Sequence, residues 1–103
     1  MNRKLSGMLG LAVRAGKAAV GEQKAMEVAR SGRAELLMLA KDAAAHTEKR
    51  FQNISDFRKI PLISVGDRFA MGSAVGREIA VVLAITDIHF AEQIKLLAQA
   101  QEG

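Results

Sequence analysis

The 103-residue chain has no cysteine, tryptophan or tyrosine, one proline and two histidines. Each shortage removes a class of explanation. Without cysteine there is no disulfide framework, no zinc-finger chemistry and no thiol nucleophile. His46 and His89 lie 43 positions apart with no His-x-x-x-His spacing, which argues against a metal centre or a catalytic histidine. The longest apolar run, Ile79 to Ile85, has seven residues, far short of the ~20 a membrane-spanning helix needs. Arg14 interrupts the only short apolar stretch near the N-terminus, so a signal peptide is not expected. The serines fall in no nucleophile-elbow pattern. Gly10 to Lys17 (GLAVRAGK) resembles a phosphate loop, but it has five residues between the glycines and Ala18 where Ser or Thr should stand. These absences leave one ordinary domain over residues 1–103, in a reducing and cytoplasmic setting, with no enzyme constellation and no cofactor or membrane signal.

What is present is charge of one sign, unevenly placed. The formal net charge is +4. Residues 1–77 hold 14 basic and 7 acidic side chains, a balance of +7; residues 78–103 hold one basic and four acidic, a balance of −3. A basic stretch on a small domain suits an anionic partner such as a nucleic acid.

The hydrophobic pattern predicts nine elements in strict alternation. Leu5, Met8, Leu9, Ala12 and Val13 form one face of a helix over residues 4–14, stopped at Gly16. Lys17 to Val20 is a short strand. Gly21 opens a second helix with Ala25, Val28 and Ala29 inward, closed at Gly32. Glu35 to Ala40 reads as a buried strand, Lys41-Asp42-Ala43 as a corner, and 46–58 as a polar helix with Phe51, Ile54 and Phe57 inward. Leu62 to Val65 is a strand, and Asp67 caps a short helix through Ala74. Gly72-x-x-x-Gly76 is a small-residue spacing that signals close packing or a helix end. Ile79 to Ile85 is the central strand, and Thr86 or Asp87 caps a last helix facing inward with Phe90, Ile94, Leu97 and Ala98. Such alternation implies a sheet covered on both faces by helices. With Phe51, Phe57 and Phe90 assigned to the core, base stacking has little to use except Phe69, so any RNA contact falls to amides, Lys/Arg and shape.

The ordered run Leu9 to Glu22 (LGLAVRAGKAAVGE), the segment Gly32 to Ala43, Pro61, Val65, Met71 to Gly76 and Val81 to Asp87 together resemble the bacterial YlxQ-type family. That group is ribosomal-protein-like and belongs to the superfamily of archaeal and eukaryotic kink-turn RNA binders. The resemblance covers nearly the whole chain. It implies an α/β fold, a three-layer α/β/α sandwich with a small four-stranded mixed sheet and about five helices. It also implies a non-enzymatic protein that binds structured RNA: a kink-turn, ribosomal RNA or a regulatory leader.

In kink-turn binders the helix after the first strand carries Gly-x-Asn-Glu-x-x-Lys. The matching stretch here is Gly21, Glu22, Gln23, Lys24, Ala25, Met26 and Glu27. Gln23 stands for Asn and keeps a donor and an acceptor. Lys24 replaces the acid and Glu27 replaces the lysine, so two contacting charges are reversed; Glu27 is instead expected to pair with Lys24 or Arg30. The resemblance also places Val75, Gly76 and Arg77, before the last strand, and the corner Lys41 and Asp42 at RNA-contacting positions. Arg68, Arg3, Lys4, Arg14 and Lys17 are further electrostatic candidates. A second reading, motivated by the reversed charges, is an accessory module of the translation or transcription machinery that contacts protein partners and has lost kink-turn specificity. A monomer is expected.

Overall fold

The computed structural model describes residues 1–102, the side chains of 101 and 102 excepted. The nine elements follow the predicted order: α1 (Arg3–Arg14), β1 (Ala18–Val20), α2 (Glu22–Arg30), β2 (Leu36–Leu39), α3 (Ala45–Arg58), β3 (Leu62–Ser64), α4 (Arg68–Ala74), β4 (Val82–Ile85) and α5 (Ile88–Glu102). The four strands form one mixed sheet in the order β1-β4-β2-β3. β4 runs antiparallel to both β1 and β2, whereas β2 and β3 are parallel. β1, β2 and β3 therefore finish at one end of the sheet, and β4 begins there. We call this the carboxyl end.

Every residue of β2 and β4 is buried, because both faces of the sheet are covered. Strand alternation divides them between two cores. Leu36, Met38, Leu83 and Ile85 pack with Leu5, Leu9 and Ala12 of α1, Met71 of α4 and Ile94 of α5. Leu37, Leu39, Val82 and Ala84 pack with Ala25, Val28 and Ala29 of α2 and Phe51 of α3. Helices α1, α4 and α5 thus cover one face and α2 and α3 the other.

Helix starts are set by side-chain caps. Asn2 Oδ1 accepts from the Leu5 N–H at 2.7 Å, and Asp67 Oδ1 accepts from Phe69 and Ala70 N–H at 3.0 and 2.8 Å. At α5 it is Asp87 that caps, accepting from the Phe90 N–H at 3.0 Å.

Two assignments need correction. Phe57 is 78 % exposed, not core. At 3.6 residues per turn it lies about 120° around α3 from the buried Phe51. The positions that do face inward are Thr47 and Ser55, four residues either side of Phe51. Both are polar, and their hydroxyls donate to Glu22 Oε1 and the Ile60 carbonyl. Ile79 is 49 % exposed as well, because β4 begins only at Val82 and the preceding residues form a loop.

Candidate nucleic-acid interface

Four loops meet at the carboxyl end, tied by backbone hydrogen bonds. The Gly21 N–H donates to the Val82 carbonyl at 2.9 Å, which fixes the start of α2 beside the start of β4. Ala40 N–H donates to Val81 O at 2.8 Å, Lys41 N–H to Gly66 O at 2.9 Å and Ala80 N–H to Arg68 O at 2.9 Å. The loops following β1, β2 and β3 and the loop preceding β4 are thereby joined into one rim.

Two glycines give this rim its shape. Gly21 has φ 102° and ψ 158°, a conformation open essentially only to glycine. A Cβ there meets nothing within 4 Å, so it is the backbone conformation and not close packing that calls for glycine at the α2 N-terminus. Gly72, buried in α4, is the opposite case. A Cβ there lies 2.7 Å from Glu78 O and Ile79 Cα and 2.8 Å from Arg77 O. The loop carrying Arg77 folds back against α4 in space a methyl group occupies in every other residue, and the Arg77 N–H donates to Gly72 O at 2.8 Å. The Gly72 spacing thus reflects close packing, as expected.

The expected contact residues divide into those that face solvent and those the fold already uses. Gln23 and Lys24 are exposed on the first turn of α2, and their side chains make no hydrogen bond or ion pair with the described residues. Arg77 is exposed on the facing loop, with its guanidinium likewise unengaged, and Gly76 beside it is exposed. Lys41 is exposed at the corner after β2.

The others are occupied. Glu22 Oε1 accepts from Thr47 Oγ1 at 3.3 Å and from Arg50 Nη1 at 3.2 Å, clamping α2 to α3. The Asp42 carboxylate accepts from the Arg68 backbone N–H at 3.0 Å and from its Nε at 3.1 Å, while Arg68 Nη2 donates to the Asp42 carbonyl at 2.9 Å. Arg68 is therefore a bracket between two loops, with its Nε and Nη2 engaged inside the protein. Val75, 9 % exposed, belongs to the core under α1, α4 and α5, so it presents no apolar side chain to a ligand. The exposed apolar groups near this rim are Ile79 and, on α4, Phe69 at 64 %. Glu27 makes no ion pair with Lys24, Arg30 or any other described residue, contrary to expectation.

Helix α1 runs away from this end. Arg3 and Lys4 start it, beside Met1, whose side chain lies over Gly66. Arg14 and Lys17 lie at the far end, where the Lys17 carbonyl accepts from Thr86 N–H. Ile79 and Phe57 continue strand-like and helical apolar patterns that imply an inward position, yet both face solvent. The signal that marks Phe57 is its offset from the Thr47-Phe51-Ser55 row.

The rim offers amide donors at the α2 N-terminus, two unengaged cations and a further exposed lysine. That set suits phosphate or another polyanion. Among the described residues no group of three His, Asp or Glu side chains is placed to hold a metal ion, and no helix is long and apolar enough to cross a membrane.

Comparison with known proteins is consistent across sequence and structure. Residues 3–95 match the model of the Ribosomal protein L7Ae/L30e/S12e/Gadd45 family. The chain is 37 % identical over 87 residues to the RNA-binding protein YlxQ of Bacillus subtilis, covering 84 % of this chain and 87 % of that one. It is 28 % identical over 97 residues to the RNA-binding protein YlxQ of Enterococcus faecium, covering 94 % and 93 %. A solved structure of a protein of unknown function from Bacillus halodurans superposes with a TM-score of 0.90 at 31 % identity, covering 95 % of this chain and 99 % of that one. A Giardia lamblia 15.5 kD RNA-binding protein shares the fold, with a TM-score of 0.77 at 19 % identity over 97 % and 92 %.

Proposed function

The chain belongs to the Ribosomal protein L7Ae/L30e/S12e/Gadd45 family, and from that premise we propose that it is a non-enzymatic RNA-binding protein that recognises folded RNA at the carboxyl end of its sheet. Its relatives in Bacillus subtilis and Enterococcus faecium carry RNA binding in their names. The observation that carries the reading is the pairing of Lys24 with Arg77: one from the α2 N-terminus and one from the loop packed on Gly72, both exposed and unengaged at a single rim.

The rim reads backbone geometry more than base identity. Lys24 carries three donors and no acceptor, so it cannot accept from guanine as an acid at that position does. Gln23 retains one donor and one acceptor group for a base edge. Glu22 and Asp42 act inside the protein, holding α2 to α3 and the β2 corner to α4. The RNA is therefore selected by the shape that brings its phosphates to Lys24, Lys41, Arg77 and the amides beside Gly21, and kink-turn preference is weaker than in binders with the acid.

Anisotropy titrations of a fluorescent hairpin RNA containing an internal loop, across a salt series, test this. Association falls linearly in log–log form with salt, and Lys24→Ala and Arg77→Ala each reduce the slope by about 1. Salt-independent association, or none, refutes it.

A further inference from the structure

Helices α2 and α3 are separated on the outer surface by a groove running down from the α2 N-terminus. Its upper part is bordered by Glu22, Gln23 and Glu27, and its lower part by Arg30, Asn53 and Phe57, with Met26 and Ile54 beneath. Met26, buried at its base, Arg30 and Arg50 belong to both parts, so the groove is continuous with the rim described above.

The lower part has the chemistry of a nucleotide seat. No carboxylate lines it. Phe57, 78 % exposed, offers a ring where folding alone favours a polar residue. The Arg58 guanidinium carbon lies 5.8 Å from that ring's centroid, a cation–π contact that steadies the ring. Met26 and Ile54 supply an apolar floor for a base. The Asn53 side-chain amide carries a donor and an acceptor for a base edge. Arg30 makes no ion pair with the described residues. Arg50 gives a single Nη1 bond to Glu22, which holds its guanidinium at the groove while other donors stay available.

We infer that the lower α2–α3 groove binds one nucleotide of a single-stranded RNA segment, its base stacked against Phe57 and its phosphates held by Arg30 and Arg50. This rests on the reading that the partner is RNA, and it extends the contact surface from the rim along the outside of the molecule. The observations favour a nucleotide over an apolar peptide, because two guanidiniums flank one ring, Arg30 with no ion pair to a described residue and Arg50 bonded to Glu22 through one nitrogen only, and the groove opens onto the proposed RNA rim.

The test uses 5′-fluorescein-labelled hexa-adenylate, which has no fold for the rim to recognise, and the full-length chain at low salt. Phe57→Ala is expected to weaken binding roughly tenfold, the scale of one lost base–aromatic stack. Arg30→Ala also weakens it and shallows the salt dependence. Phe57 and Arg30 are exposed, so both variants keep the fold, which far-UV circular dichroism checks. The inference is overturned if hexa-adenylate does not bind, or if Phe57→Ala leaves its affinity unchanged. It is also overturned if Lys24→Ala removes binding and Phe57→Ala does not, which moves the single strand to the rim. Each of these leaves the rim reading standing provided the hairpin RNA still responds to Lys24→Ala and Arg77→Ala. A protein partner that is lost on Phe57→Ala, beside unchanged hexa-adenylate binding, assigns the groove to a peptide instead.

Discussion

The two ends of the sheet carry comparable numbers of cations and place them by opposite rules. At the far end Arg14, Arg30 and Arg58 occupy the last turns of α1, α2 and α3. Positive charge there complements the negative pole of each helix, a contribution of roughly 0.3–1 kcal/mol apiece. At the carboxyl end Lys24 lies in the first turn of α2, against the positive pole, where the same effect works against folding. A cation that folding disfavours, exposed and without a partner, distinguishes the end proposed to bind RNA better than net charge does. The glycines repeat the contrast. Gly21, whose backbone turn only glycine adopts readily, and Gly72, which admits a tightly folded loop, both lie at the carboxyl end.

The largest test of this contrast is Gly72→Ala. The added methyl group meets backbone, not a flexible side chain, so about 1–3 kcal/mol of stability is lost. The loop bearing Arg77 is displaced, and affinity for the hairpin RNA falls with it. Urea melts and anisotropy together check this; unchanged binding in a destabilised protein separates loop placement from function. Lys24→Glu comes next and makes the two rules diverge within one substitution. Stability rises by roughly 0.3–1 kcal/mol, because an acid now lies at the helix start, while hairpin RNA binding weakens severely. A variant less stable than the parent breaks the comparison.

Arg14→Gln is the mirror experiment. It lowers stability by roughly 0.3–1 kcal/mol and leaves the salt slope of hairpin binding unchanged, since the site lies at the other end of the molecule. The smallest effect concerns Asp87, the α5 cap at the far end. The Phe90 N–H bond holds its carboxyl below the ordinary carboxylate range; the His89 N–H and the charges of His89 and Lys17 add to this, and desolvation opposes it. A depressed folded value means the stabilisation is present above the unfolded carboxylate value and is lost as pH falls through the folded one. Asp87→Asn keeps a cap acceptor and removes the titration. Urea midpoints measured from neutral to acid pH therefore fall less steeply in this variant, with RNA binding at neutral pH unaltered.

The element order could be read from periodicity because each apolar run has the length and spacing of one local structure. The pairing order β1-β4-β2-β3 could not, since local pattern contains no information on which strands become neighbours. That order is what brings Gly21, Lys41 and Arg77 to one end. Among the candidate site residues, the family pattern pointed to positions that the fold gathers at one end, but not to the state of their side chains. Asp42 and Arg68 are 26 positions apart, and their bracket exists only in three dimensions. Val75 lies one residue from an exposed glycine yet turns inward to finish α4. Phe57 departs from its pattern for a different reason: hydroxyls from Thr47 and Ser55 occupy the inward row by hydrogen bonding, a choice that hydropathy alone ranks last.

The central position of β4 has a consequence for how the molecule comes into being. Ribosomes deliver the chain from its N-terminus, and β1 and β2, made early, do not touch one another in the sheet; the strand that joins them is synthesised last of the four. A nascent chain ending before Val82 has no partner for the Gly21 amide or for the inner edges of β1 and β2. The rim proposed to bind RNA is thus not joined until the chain has emerged past Ile85. The order of strands alone makes the last one synthesised the one that closes the sheet.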